Sequence, residues 1–200
     1  MTVANSRITG NGASTTCPSP PGAGIYVAAN NVAYGEYAPK ITDNEIISNT
    51  GPGVDIYNVG KGEFRRNVVQ DNTGWAGFSL LGSNWTVADN TIVHPAGGGG
   101  QPWVPSCSTG PSGAGSAAIF LCRDTSAGGL TTNNNVVTGN RVSSYYGILL
   151  IGNDEANQAA VPRNNTLSAN TTTGTVACAD DNKRSGPTAN SWSGCKPVYF

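Results

Sequence analysis

The sequence predicts an all-β fold, a right-handed parallel β-helix of about six stacked rungs with loop insertions. Two recurring phrases and a turn-rich composition predict it. The first phrase is Asn, any residue, an aliphatic residue, two variable residues, Asn. The second is Gly or Ala followed by apolar, any, apolar. The composition supplies 27 Gly among 200 residues and only 12% charged residues. Gly and Asn tolerate left-handed backbone, so such a chain can turn often.

The first phrase occurs as Asn44-Glu-Ile46-Ile-Ser-Asn49 and Asn67-Val-Val69-Gln-Asp-Asn72. It returns as Asn135-Val-Val137-Thr-Gly-Asn140 and Asn165-Thr-Leu167-Ser-Ala-Asn170. Asn90-Thr-Ile92-Val-His-Pro95 carries Pro at the last position, and Ser6-Arg-Ile8-Thr-Gly-Asn11 carries Ser at the first. Two spacings are 23 residues, from 44 to 67 and from 67 to 90. The other spacings are 38, 45 and 30 residues. A 23-residue rung with inserted loops accounts for all of them.

The second phrase reads Gly24-Ile25-Tyr-Val27, Gly53-Val54-Asp-Ile56, Gly77-Phe78-Ser-Leu80, Ala118-Ile119-Phe-Leu121 and Gly147-Ile148-Leu-Leu150. Its alternation marks short strands with one buried face. A third buried position precedes the Asn phrase at Ile41, Phe64 and Val87, with Thr132 as a weaker match. No single rung can bury its own aliphatic residues. Rungs stacked at about 4.8 Å bury them together, placing Ile25, Val54, Phe78, Ile119 and Ile148 in one column. Equivalent asparagines should then form ladders, each amide donating to the next rung.

Eleven basic and twelve acidic residues leave the charge near zero. No basic excess or patch points to nucleic acid. No run is long and apolar enough to span a membrane. Of five cysteines, Cys107 and Cys122 flank a Gly/Ser stretch, and Cys178 and Cys195 flank a polar one. Both pairs read as disulfides closing surface loops, which predicts a secreted, extracellular protein. Cys17 is left over, and five reduced thiols are the alternative. No CxxC spacing and a single histidine leave little for a zinc site. Asn84-Trp85-Thr86, Asn164-Asn165-Thr166 and Asn170-Thr171-Thr172 match glycosylation acceptors, as chance allows in so Asn-rich a chain. Residues 1–200 read as one domain, with about 175–200 as a C-terminal closing segment. Met1 runs straight into repeat-like sequence, without a signal peptide, so the chain is expected to be the C-terminal part of a longer natural protein.

The N-x-I-x-x-N and G-I-x-L phrases resemble the parallel β-helix repeat of pectate lyases, polygalacturonases, alginate lyases, C5-epimerases and NosD-like carbohydrate-binding proteins. The resemblance covers roughly residues 3–174. Asn190-Ser-Trp192-Ser-Gly-Cys195 is similar to a closing strand of such proteins. The resemblance implies an extracellular polysaccharide-active protein and, as the finer expectation, a lyase or hydrolase of uronic-acid polysaccharide. It is specific for fold and not for activity, because one fold hosts many functions.

In such proteins the outer surface of one strand column carries the chemistry. The outward positions of the Gly-led strands are Tyr26, Asp55, Ser79, Phe120 and Leu149, then Tyr57, Leu81, Cys122 and Ile151. Pectate-lyase-like proteins hold calcium there through clustered carboxylates. Asp55 is the one carboxylate of the first column, so the expectation is no resident cofactor and no metal site, with calcium as the open alternative although no carboxylate cluster is seen. The grouped aspartates of polygalacturonases are absent as well. An apolar stripe of this kind is either covered or used. The insertion from about Gly97 to Gly115, with Trp103 and seven glycines, could fold over it. If it is open, Tyr26, Tyr57, Phe120 and Trp103 offer rings to sugars, with Asp55 and Asp124 as polar partners.

The catalytic candidates are His94, Asp71 and Arg123. His94 and Asp71 occupy equivalent places on adjacent rungs and could pair as a general base against a proton α to a uronate carboxyl. An ordinary surface contact is the bland reading. Arg123, Asp124, Asp154 and Glu155 fall in turns after the Gly-led strands, where Arg123 could hold a carboxylate in bidentate fashion. Solubility alone also puts charges in turns. Asp43, Arg66 and Asp89 should stack as a solvated ladder of alternating sign. Three hypotheses follow. One is a polysaccharide lyase or hydrolase, and another a non-catalytic glycan- or wall-binding module. The third is a structural module that associates end to end through an unpaired first rung.

Overall fold

The computed structural model describes residues 1–12, 22–28, 38–95, 116–122, 132–151, 162–180 and 189–199. Among them every regular element is a strand, and every strand pairing is parallel. The strands make three sheets of seven, six and seven strands. The chain visits the sheets in turn, so each rung adds one short strand to each. This is the predicted parallel β-helix.

Sheet A runs from Thr2–Ala4 through Lys40–Thr42, Gly62–Arg65, Trp85–Ala88, Val136–Thr138 and Thr166–Ser168 to Ser191–Trp192. Sheet B holds Arg7–Thr9, Glu45–Ile47, Val68–Gln70, Thr91–Val93, Arg141–Ser143 and Thr171–Thr173. Sheet C holds Ile25–Ala28, Val54–Tyr57, Ala76–Leu81, Ala117–Cys122, Tyr146–Ile151, Val176–Asp180 and Val198–Tyr199. Three-residue strands place one side chain inward and two outward. The inward ones form the core: Ile41, Phe64, Val87 and Val137 in sheet A, and Ile46, Val69, Ile92 and Val142 in sheet B. In sheet C, Ile25, Val54, Phe78, Ile119 and Ile148 stack in register as the sequence predicts. Phe64 and Phe78 stack across the core at 4.4 Å.

The asparagine ladders are present, but their phase differs from the sequence reading. Between sheets A and B, Nδ2 of Asn44 donates to Oδ1 of Asn67 at 3.0 Å, and Asn67 to Asn90 at 3.0 Å. The next members are Asn140 and Asn170, each reached at 2.9 Å. Asn135 and Asn165 belong to another corner, between sheets C and A, where Asn135 donates to Asn165 and Asn165 to Asn190, both at 3.0 Å. The reason is geometric. The phrase spans one corner, one three-residue strand and the next corner, and it fits more than one side of the rung. Accordingly Val137, not Thr132, continues the column of Ile41, Phe64 and Val87.

Left-handed residues make the corners. Asn5, Asp43, Arg66 and Asp89 have φ between 52° and 59° at the corner between sheets A and B. There Arg66 grips Asp43 with Nε at 2.7 Å and Nη2 at 2.8 Å, two of the three members expected to stack as a ladder. At the last rung Ser191–Trp192 joins sheet A, Val198–Tyr199 joins sheet C, and a Cys178–Cys195 disulfide ties the segment to the helix.

Candidate functional site

The outer face of sheet C divides into two regions. In-register pairing aligns Tyr26, Asp55, Ser79, Phe120, Leu149 and Ala179 in one outward column. Ala28, Tyr57 and Leu81 lie beside it, as do Cys122 and Ile151. From Ala76 through Ile151 the face is sealed, and beyond Ala179 Val198 is exposed again. Phe120, Leu149 and Ile151 retain 2%, 3% and 3% of their surface, and with Tyr146, Ala117 and Ala179 they form a second apolar core. Phe120 is thus buried and offers no ring to a sugar. Trp103 and the insertion expected over this face lie outside the described residues.

The first two rungs differ. Tyr26 is 47% exposed, and Asp55 and Tyr57 keep part of their surface. Asp55 lies between Tyr26 on one rung and Ser79 on the next, with Tyr57 two residues along its own strand. Burial pushes the Asp55 carboxyl up to about 6, against a hydrogen bond from Ser79 that favours the charged form. The Tyr26 phenol is raised by burial first and by the charge of Asp55 second. A carboxyl so placed can donate or accept a proton near neutrality. Ser79 was not singled out as a site residue, though its place in the Asp55 column was the available signal.

His94 and Asp71 do not come together. Their rungs are in register, but Asp71 has φ of 56° and faces solvent. His94 lacks this turn and points inward, 3% exposed. Its Nε2 donates to the Gly74 carbonyl at 2.9 Å, and its buried Nδ1 has no hydrogen-bond partner. Burial depresses its pKa to about 4, with the Gly74 bond acting the other way. The ring is neutral at neutral pH and structural in its contacts. Arg123, Asp124, Asp154 and Glu155 lie outside the described residues.

Among the described residues no three His, Cys, Asp or Glu side chains gather as metal ligands. The calcium-holding carboxylates of pectate-lyase-like proteins have Asp55 alone as a counterpart on this face, so the described donor set does not fit that ion. One acid the sequence reading passed over is Asp180. It takes the inward place that Leu150 fills one rung earlier, is 1% exposed, and accepts from Trp192 Nε1 at 2.8 Å and Asn190 Nδ2 at 3.0 Å. It closes the core rather than facing a ligand.

Three parallel sheets and the asparagine ladders at their corners define a β-solenoid. Residues 1–183 match the family described as the right-handed beta helix region, and the chain belongs to that family. No curated protein and no solved structure matches it.

Proposed function

We propose that this is an extracellular polysaccharide-binding β-helix protein that meets its glycan at Tyr26, Asp55 and Tyr57. The observation that carries the reading is Asp55. It is the carboxyl of a half-buried residue, held at about 6, set beside a 47% exposed tyrosine ring and next to rungs whose outer face is sealed. Rings stack on the apolar faces of sugars, and a carboxyl orients their hydroxyls. The Cys178–Cys195 bond supports an oxidising, extracellular location. Cys122, also disulfide-bonded, supports it too.

Capture is favoured over cleavage. Glycoside hydrolysis takes two facing carboxyls, roughly 5–9.5 Å apart. Among the described residues of this face Asp55 has no second. Cleavage by a lyase or hydrolase is the second reading, supported by the poise of Asp55 as an acid or base. Both readings are tested by incubating the chain and its Tyr26→Ala and Asp55→Asn variants with polyuronates and neutral glycans, scoring retention, new reducing ends and unsaturated products. Retention lost in Tyr26→Ala, without product, supports capture. Product abolished by Asp55→Asn supports cleavage. Neither signal from the parent chain overturns both.

A further inference from the structure

We infer that the Tyr26–Asp55–Tyr57 face takes an amino sugar in its ammonium form, a deacetylated hexosamine polymer, in preference to a polyuronate. The inference rests on the glycan-site reading above and names the ligand class.

The first support is a contrast among carboxylates. On the outer surfaces of sheets A and B, Glu45 pairs with Arg7 at 3.7 Å and Glu63 with Lys40 at 3.6 Å. At the corner Asp43 pairs with Arg66 at 2.7 Å. Among the described residues Asp55 forms no ion pair, and Ser79 is its hydrogen-bond partner. A carboxylate partly withdrawn from water without a cation is costly, and a ligand ammonium relieves that cost.

The second support is the charge of the face. The described outward positions of sheet C include no Lys, Arg or His. A uronate would meet the like charge of Asp55 with no described cation to hold it.

The third is geometry. Tyr26 is one rung from Asp55, a step of about 4.8 Å, and Tyr57 two residues along, about 6.6 Å. A sugar ring over either tyrosine sets a ring substituent near the carboxylate. An ammonium there also gains from the ring faces.

The test is calorimetric titration of the full chain near pH 6 with hexamers of glucosamine, N-acetylglucosamine and galacturonate. The parent should bind the glucosamine hexamer at least tenfold more tightly than the other two. Asp55→Asn should remove that preference, and added salt should weaken it. A galacturonate or N-acetylated hexamer bound as tightly, through Tyr26, overturns the amino-sugar inference and leaves the glycan site standing. Glucosamine binding indifferent to both Asp55→Asn and Tyr26→Ala overturns the site itself. Binding of none of the three overturns the inference. Unchanged melting of each variant separates these outcomes from misfolding.

Discussion

Asn140 Oδ1 accepts two hydrogen bonds from Asn90, fifty residues earlier: one from the backbone amide at 3.0 Å and one from Nδ2 at 2.9 Å. Its own Nδ2 donates to the Val87 and Thr138 carbonyls at 2.9 and 3.1 Å. One side chain thus ties its own rung to the one before it. Asn140→Ala strands two donors and a carbonyl in a buried corner, and should cost about 2–4 kcal/mol. Chemical denaturation measures it. A loss within about 0.5 kcal/mol, the ordinary range for surface positions, would mean the ladder adds nothing net.

A second prediction concerns Trp85, which fills the corner place that Asn135 holds on the next rung. Its indole lies over Gly62, where an added Cβ would meet Cη2 at 2.6 Å. The ring is 1% exposed and donates from Nε1 to Val59 at 2.8 Å, so it cannot move aside freely. Gly62→Ala should destabilise by about 1–3 kcal/mol. Gly12→Ala, with no atom within 4 Å of its Cβ, is the neutral comparison in the same thermal melts.

The contrast between these corners shows what the sequence carries. The sheet C column was legible because Gly or Ala followed by alternating apolar residues occurs on that side alone. The register of rungs five and six was not, because corner–strand–corner looks the same on two sides of the rung. Only the loop lengths could have separated Asn135 from Asn140, and loop length leaves no local mark. At the site, Tyr26, Asp55 and Tyr57 were placed on the right face by alternation. The sealing of Phe120 and its neighbours was one of two readings of the apolar stripe, because alternation marks a face as apolar and outward but does not decide between cover and use. The inward turn of His94 was also hidden. It hangs on a backbone angle that Asp71 adopts and His94 does not.

A third prediction concerns the closing segment. The Cys178–Cys195 bond spans 17 residues, and a crosslink of that length stabilises by about 3 kcal/mol. The double Ser variant should melt earlier by that amount. Trp192→Phe removes a 2.8 Å hydrogen bond to the buried Asp180 and should cost about 1.5–3 kcal/mol. If either variant melts as the parent does, the segment does not hold the end of the core.

The last prediction sets Asp55 against His94. Asp55 rises from 3.8 unfolded to about 6 folded. Between those values the folded state binds more protons, so this group lowers stability as pH rises. His94 falls from 6.5 unfolded to about 4 folded. Between those values the unfolded state binds more protons, so this group raises stability as pH rises, and its contribution is lost as pH falls through about 4. The windows overlap from about 4 to about 6, and each shift is worth about 3 kcal/mol. Their slopes oppose, so in that window the contributions of these two groups cancel in the parent. Asp55→Asn should leave a stability that climbs with pH. His94→Gln, which keeps a donor for Gly74, should leave one that declines. Urea titrations at several pH values between those limits read both slopes. Parallel slopes in the two variants would show that neither group carries its shift in the folded chain.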